Sequence, residues 1–248
     1  MNQNKISIVT VVYNAEDHIE QTINSIINQT YQNIEYVIVD GGSTDKTLDI
    51  IKNYDKHISL WISEKDKGIY DAMNKALNLI TGDYVWFMNA GDEIYSKNTV
   101  EEIFRDFSNE DVFYGKTQLI KQDGNVLKVT TTPQSLNWKS FQFGMVVSHQ
   151  SIIFKSSLIS KYDLSYKIVS DQDWIINNLK KSQNIKNTNQ VLSKYLLDGF
   201  SGRNFHKAWR EKFVIVKKHY GYFIYLLNIF SYFKAICKIF IKNTILKK

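Results

Sequence analysis

The first ninety residues alternate between short apolar runs and longer amphipathic stretches. Four runs, at 6–12, 35–39, 58–62 and 84–88, are rich in Ile, Val and aromatic residues and too short for buried helices, so they predict strands. Between them, apolar residues recur every three or four positions, as at Ile19, Ile23 and Ile26, which predicts helices with one buried face. The β-α-β-α-β-α-β order is typical of a parallel sheet with right-handed crossovers. We therefore expect an α/β fold.

Local signals indicate where several helices begin and end. Asn14, with Asp17 three residues later, resembles an amino-terminal cap for the first helix, and Ser43 is placed to cap the second. Gly82 is expected to end the third helix. Asp171 is a candidate cap for a helix that continues through Ile175, Ile176 and Leu179.

The second half has weaker periodicity. It predicts a strand at 111–115, a hairpin at 116–129 around Asp123-Gly124, a loop at Pro133 and a β segment at 146–154. A basic helix over 209–219 is expected to end at Gly221. The polar segment 198–207 is predicted to be either a mobile loop over a diphosphate or an ordinary surface loop.

Polar, turn-prone residues follow three of the predicted strands. They are Tyr13-Asn14, Asp40-Gly41-Gly42 and Asn89-Ala90-Gly91-Asp92. In a parallel sheet these strand ends share one edge, where ligands bind. Asp40 is suited to accept hydrogen bonds from a nucleobase or ribose, and Asp92 offers hard oxygens to a divalent cation. The alternative for each is a polar turn that closes a core strand. No glycine-rich dinucleotide or Walker motif follows the first strand.

Composition narrows the class of protein further. The chain has 248 residues, a net charge of +6 and one cysteine, Cys237, so an internal disulfide is excluded and a reducing compartment fits. The first residues enter a strand without an apolar signal segment, which predicts a cytoplasmic protein. The basic excess fits nucleic acid, an anionic membrane or a phosphorylated ligand. Nucleic acid is the poorest of these, because the basic residues lie on apolar helices and no recognition motif is present.

The tail, 222–248, has a pattern of its own. On a helix, one narrow polar stripe is formed by Asn228, Ser231, Lys234, Lys238 and Lys242, and apolar residues cover the rest. Spanning a membrane would bury Lys234 and Lys238 at about 2.5–3.5 kcal/mol each. We expect instead an amphipathic helix in the membrane interface with its lysines at anionic headgroups. The alternative is a helix packed on the catalytic domain or on a second subunit.

Several segments resemble family 2 glycosyltransferases. These are 7–14, 25–31 and 35–45, and the resemblance runs from about residue 5 to residue 92, then resumes near His149 and Asp171. The family has the GT-A fold and uses nucleotide-sugar donors. Segment 68–74 is similar to a subgroup from bacterial surface-polysaccharide pathways. The resemblance implies a catalytic domain over 1–205, divided into a nucleotide-sugar-binding half, 1–92, and an acceptor half, 93–205. A basic helical tail, 206–248, follows.

The resemblance also implies donor-binding residues. Those expected to line the nucleoside pocket are Thr10, Val12, Tyr13, Asn14 and Glu16. Asp40 is expected to contact the uracil or ribose. Asp66 and Asn74 are expected to face the nucleotide sugar. Asn89 and Gly91 fall on the family's Asp-x-Asp motif, where each replaces an acid. Asp92 is left as the expected ligand of Mg²⁺ or Mn²⁺, with diphosphate oxygens and water completing the coordination.

On the acceptor side the resemblance implies His149, Gln150, Asp173 and Trp174, although His149 is equally compatible with a buried core histidine. Asp171 falls where inverting members carry the catalytic base; the structural alternative is that Asp171 and Asp173 only stabilise a helix start. The implied reaction is sugar transfer, with inversion, to a glycan or polyprenyl-diphosphate-linked acceptor at the inner face of the cell membrane. Two rivals are a nucleotidyltransferase, which lacks its phosphate loop here, and a non-catalytic nucleotide-sugar-binding or membrane-tethering protein.

Overall fold

The structure, a computed structural model, describes residues 4–197 and 204–245, with side chains described up to residue 233. The strands are β1 Ile6–Val12, β2 Ile34–Asp40, β3 Leu60–Ser63, β4 Tyr84–Phe87, β5 Glu93–Ile94, β6 Val112–Ile120, β7 Val126–Val129, β8 Ile152–Lys155 and β9 Ile185–Leu196. The helices are α1 Ile19–Ile27, α2 Thr47–Asn53, α3 Ile69–Ala76, α4 Thr99–Phe104, α5 Ser170–Leu179 and α6 Phe205–Ile245.

These strands form one sheet in the order β3-β2-β1-β4-β8-β6-β9-β5, with β7 paired to β6. Strands β1 to β4 are mutually parallel, as the alternation of strands and helices predicted. Strand β8 runs antiparallel between β4 and β6. The α/β prediction is confirmed, and the carboxyl ends of β1, β2 and β4 meet at one edge.

Alternate side chains of the central strands pack into two hydrophobic cores, one on each face of the sheet. Val9 and Val37 point to the face covered by α3 and α5, where Ile215 of α6 also packs. Ile8 and Ile38 point to the face covered by α1, α2 and α4. The central strands are buried on both sides, which explains their continuous apolar sequences.

The predicted helix boundaries in the first half are wrong. Helix α1 begins after His18, and Asn14 has a left-handed backbone (φ 46) within the preceding loop. Helix α2 begins after Lys46, not Ser43. Helix α3 ends at Ala76, well before Gly82. Gly82 is needed for close packing instead, because a Cβ there would lie 2.6 Å from the Ser7 Oγ.

The second half is where the sequence prediction fails most. The hairpin of β6 and β7 is confirmed, but the β segment predicted at 146–154 begins only at Ile152, because His149–Ser151 forms a 3-10 turn. Strand β9, helix α4 and the short β5 were not predicted. Strand β9 is rich in Asn, Thr, Gln and Lys and lies mostly half-buried, so it lacks the apolar alternation that identifies a strand.

Helix α6 consists of two segments joined at Gly221, whose φ of 78° interrupts the helix where the sequence predicted. In the second segment, Asn228 is buried and its Nδ2 donates to the Gln142 carbonyl. This end of the polar stripe therefore faces the protein, as in the alternative of a helix packed on the catalytic domain. The stripe lysines lie beyond residue 233, where side chains are not described, so their expected contact with headgroups stays a prediction. Among the described residues, no helix is both long and apolar enough to cross a bilayer.

Candidate active site

The loops that follow β1 and β2 are joined by hydrogen bonds from backbone N–H groups to side chains. Asn14 N–H donates to Ser43 Oγ, and Thr44 N–H donates to Asn14 Oδ1, both at 2.8 Å. Lys46 N–H donates to Glu16 Oε2 at 2.8 Å. Asn14 and Glu16 thus fix the loop after β1 against the loop after β2.

Asp40 organises the second loop from a fully buried position. Its Oδ2 accepts hydrogen bonds from the N–H groups of Gly42 and Ser43 and from the Ser63 hydroxyl. Its Oδ1 accepts from the Ser43 hydroxyl. The carboxylate therefore fixes the Gly-Gly turn from beneath.

Tyr13 and Asp66 lie on either side of Gly41. A Cβ on Gly41 would stand 2.3 Å from Asp66 Oδ2 and 3.5 Å from Tyr13 Cβ, so a larger residue there would displace the Asp66 carboxylate. Tyr13 is 62% exposed and offers an open ring at the edge, whereas Val12 beside it is buried. Thr10 lies within the sheet, where its hydroxyl donates to the Met88 carbonyl. This part of the edge can accommodate a flat, polar ligand.

The loop after β4 is held by helix α1. The Gly91 N–H donates to Thr22 Oγ1 at 3.0 Å, and the Thr22 hydroxyl donates to the Asp92 carbonyl at 2.8 Å. Gly91 has φ 98, which favours glycine over the family's acid at this position. Asn89 Oδ1 is buried and accepts no hydrogen bond, so it is a free oxygen donor for a ligand or cation.

Asp92 is only 5% exposed, and its Oδ2 accepts a hydrogen bond from Gln150 Nε2 at 2.8 Å. Burial raises the pKa of Asp92 to about 8. Among the residues whose side chains are described, no group of three or more His, Cys, Asp or Glu is placed to hold a metal. For Asp92 to bind a cation at neutral pH, its carboxyl group must therefore ionise.

Asp171 lies in the first turn of α5, which begins after Val169, so it does not act as the predicted cap. Its Oδ1 accepts from the Gln172 N–H at 2.9 Å and faces the Tyr70 hydroxyl at 3.4 Å. Burial raises the pKa of Asp171 to about 6, above its ordinary value. Such a carboxyl group is ionised at neutral pH and basic enough to accept a proton.

An aromatic cluster lies beside Asp171. Tyr162 stacks on Trp174 with ring centroids 4.7 Å apart and on Tyr70 at 5.6 Å. His149 Nε2 is 2.7 Å from the Tyr162 hydroxyl, and burial lowers the pKa of His149 to about 4, so its ring is neutral. Asn74 donates to the Tyr162 carbonyl and accepts from the Tyr162 N–H. The polar groups of His149 and Asn74 are thus used within the protein.

Asp173 faces helix α6. Its carboxylate lies 2.7 Å from His219 Nε2 and 3.0 Å from Lys218 Nζ. Burial acts to raise the pKa of Asp173, but the hydrogen bonds from His219 and Lys218 outweigh it and hold the pKa below its ordinary value. No local pattern predicted these partners, because they lie about 45 residues away along the chain, on helix α6.

The structure therefore gathers three groups at the strand ends. The first group consists of Tyr13, Asp66 and the Gly-Gly turn. The second group consists of Asn89, Asp92 and Gln150. Asp171 with the aromatic cluster forms the third. The predicted diphosphate loop, 198–207, lies mostly outside the described residues. Tyr70 and Tyr162 were not predicted as site residues from the sequence. For Tyr70 there was a signal, because it follows the turn-prone residues Asp66 and Gly68.

The mostly parallel sheet with helices on both faces is a GT-A fold. The sequence profile described as Glycosyl transferase family 2 matches residues 7–162. The chain belongs to this family.

Similar proteins agree with the family. An uncharacterized glycosyltransferase of Haemophilus influenzae is 29% identical over 94% of this chain and all of the relative. A PGL/p-HBAD biosynthesis glycosyltransferase of Mycobacterium bovis is 29% identical over 68% of each chain.

Solved structures agree with the fold. S. aureus TarS 1-349 in complex with UDP-GlcNAc superposes with a TM-score of 0.68 at 21% identity, over 87% of this chain and 67% of that one. The mannosyltransferase PcManGT from Pyrobaculum calidifontis, with GDP-Man and Mn²⁺, superposes with a TM-score of 0.62 at 14% identity, over 88% and 63%.

Proposed function

We propose that this glycosyltransferase moves one sugar, with inversion, from a nucleotide sugar to an acceptor hydroxyl, and that Asp171 is the general base. The observation that carries the proposal is the Asp171 carboxyl: it lies beside the strand-end edge, is partly buried, and has a pKa raised to about 6. An acceptor hydroxyl is a poor nucleophile unless its proton is removed as the new bond forms. A single base opposite the leaving group leads to inversion.

The donor is proposed to bind along the ends of β1, β2 and β4. Tyr13 offers an exposed ring and Asp66 a carboxylate at the Gly41 turn, which suits a nucleoside. Asn89 Oδ1 is free for the sugar or diphosphate. TarS, solved with UDP-GlcNAc, supports a UDP-linked donor, and PcManGT shows that the fold also takes GDP-Man. Buried Thr10 and Asp40 would support this wall from behind.

A divalent cation is proposed as cofactor, held by Asp92 with Asn89 beside it. One carboxylate and one unpartnered amide oxygen fit a cation that takes its remaining ligands from a diphosphate and water. The solved PcManGT complex contains Mn²⁺, which supports the proposal. When bound, the cation would neutralise charge on the departing diphosphate.

The acceptor is proposed to be a surface glycan or a polyprenyl-diphosphate-linked precursor at the inner face of a bacterial membrane. The Mycobacterium bovis relative, named for PGL/p-HBAD biosynthesis, gives modest support. Exposed Phe223, Phe230 and Phe233 on the second segment of α6 favour membrane association. His149, Gln150, Asp173 and Trp174 would act on the acceptor side by shaping it, since their polar groups already have partners.

The first test is donor hydrolysis and transfer against a panel of nucleotide sugars, with Mg²⁺, with Mn²⁺ and with EDTA. We expect one donor to be consumed and Asp171→Asn to lower kcat by about 10²-fold or more. Asp163→Asn, an exposed acid before the same helix, is the matched control and should keep full activity.

The second candidate is a non-catalytic protein that binds a nucleotide sugar. The substitution of Asn89 and Gly91 for acids of the Asp-x-Asp motif favours it. Tight donor binding with no turnover, even with an extract containing lipid-linked glycans, would support this candidate over the enzyme.

A further inference from the structure

Glu211, on the first segment of α6, accepts hydrogen bonds from three consecutive backbone N–H groups. Its Oε1 accepts from Lys167 at 2.9 Å, and its Oε2 accepts from Ile168 at 2.9 Å and from Val169 at 3.2 Å. These residues directly precede α5, which begins at Ser170 and carries Asp171 in its first turn. A carboxylate from another helix therefore binds the N–H groups that lead into the helix of the proposed base.

Glu211 is itself held in place. Ile215, one helical turn later on the same face of α6, is fully buried in the core that α3 and α5 share, and Val216 beside it is also fully buried. On the other side, the Tyr70 hydroxyl donates to the Ile168 carbonyl at 2.8 Å and faces Asp171 Oδ1 at 3.4 Å. The peptide at Ile168 is thus fixed through its N–H by Glu211 and through its carbonyl by Tyr70.

We propose that Glu211 is a positioning residue for the transfer reaction, which fixes the entry to α5 so that the Asp171 carboxylate faces the acceptor. This rests on the proposed role of Asp171 as the base. Glu211 would not touch either substrate. A displacement of about 1 Å in a reacting group can cost roughly 10²-fold in rate, so an anchor at this place has a direct effect on turnover.

The charge of Glu211 also acts on Asp171. Burial is the main cause of the raised pKa of Asp171, and the negative charge of Glu211 adds to it. The other titratable groups acting on Asp171 among the described residues are Tyr70 from α3 and Tyr162 from the loop before α5, and both stay neutral because burial raises their pKa well above the ordinary value. Removing the Glu211 charge should therefore lower the pKa of Asp171.

The test compares Glu211→Gln with wild type and with Asp163→Asn. Asp163 is a matched control because it lies in the same approach to α5, but its carboxylate accepts from Ser165 and not from residues 167–169. For Glu211→Gln we expect kcat to fall roughly 10-fold or more, with little change in the donor KM. The acid limb of the kcat profile should move to lower pH. Asp163→Asn should leave both unchanged.

A merely structural role would appear as a lower melting temperature, with the kcat of folded enzyme and its acid limb as in wild type, and this would overturn the proposal. If Glu211→Gln does not fold, Glu211→Asp keeps the charge but withdraws it by one methylene; we expect a lower kcat with an unshifted acid limb, and a wild-type kcat would again overturn the proposal. If Asp171→Asn itself retains turnover, the proposed base is wrong, which is a separate result.

Discussion

Carboxyl groups in this protein have different pKa values because they are buried with different donors. Burial acts to raise the pKa of Glu35, but hydrogen bonds from Lys5, Ser7 and Thr81 outweigh it and lower the pKa to about 2. Asp92 has few such donors, so burial raises its pKa to about 8. The pKa of Asp171, about 6, lies between those of Glu35 and Asp92. The same side chain can thus be a fixed charge or a proton acceptor, according to its neighbours.

The pH dependence of turnover tests Asp171. We expect kcat/KM to fall below about pH 6, because the carboxylate must be ionised to accept a proton. Tyr70→Phe removes a hydrogen bond that lowers the pKa of Asp171, so its acid limb should move to higher pH. A pH–rate profile of both proteins measures this. An acid limb that does not respond to Tyr70→Phe would contradict the assignment.

The pH dependence of stability tests Glu35. Its pKa is lowered on folding, from 4.5 to about 2, so the stability it adds is present above about pH 4.5 and is lost as the pH falls towards 2. Glu35→Gln should therefore cost about 2 kcal/mol at pH 7 and much less near pH 3. Urea unfolding at both pH values measures the difference. Asp49→Asn, whose exposed carboxylate lies 3.7 Å from Lys52, should have little effect at either.

At the level of elements, α5 is held by α6 at two places. Glu211 binds the backbone before α5, and Lys218 and His219 bind Asp173 in its first turn. Asp171 lies between these two anchors. The proposed base thus lies on a helix that is held by α6, and both helices lie outside the residues that the family profile matches, 7–162.

Breaking the second anchor should loosen this docking. Asp173→Asn leaves Lys218 and His219 without their carboxylate, and removing one partner of a buried pair costs roughly 3–5 kcal/mol. Because Lys218 is partly exposed and can turn to solvent, we expect about 2 kcal/mol. Thermal and urea unfolding measure it. Asp163→Asn is the control, since Asp163 lies 4.0 Å from Lys218 and is itself half exposed; an equal loss there would contradict a specific role for Asp173.

At the scale of the whole molecule, the described part of the second segment of α6, residues 222–233, exposes several large apolar side chains. Asn228 is buried against Gln142, while Phe223, Phe230 and Phe233 are each more than half exposed. Phe143 is exposed as well, and its backbone carbonyl accepts a hydrogen bond from Lys212 Nζ on the first segment of α6. Together with the net charge of +6, this surface suits an anionic bilayer.

Vesicle sedimentation tests this surface. We expect wild type to bind vesicles containing phosphatidylglycerol more strongly than phosphatidylcholine vesicles, and Phe223→Glu with Phe230→Glu to abolish binding, because charges would replace the rings that enter the interface. Val214→Glu is the matched control, since Val214 is exposed on the first segment of the same helix. Equal loss in the control would mean that net charge, and not this segment, determines binding.

The sequence by itself determined the parallel half of the sheet and the edge where its strands end. Continuous apolar strands and amphipathic helices are local patterns, and the position of Asn14, Asp40 and Asp92 at strand ends follows from them. The family resemblance added Asp171 as the expected catalytic base, which stays a prediction. The strand pattern and the family motifs can be read from the sequence because each depends on residues close together in the chain.

The tertiary structure alone decided which side chains meet. Strand β9 has no apolar alternation, and its place in the sheet follows from pairing with β6. Asp92, Asp171 and Asp173 each meet a side chain from a distant part of the chain, and the residues concerned, Gln150, Tyr70 and Lys218, lie 45 to 101 residues away along the sequence. Burial and hydrogen bonding by distant groups set the pKa of a carboxyl group and the orientation of a helix, and no local pattern encodes them.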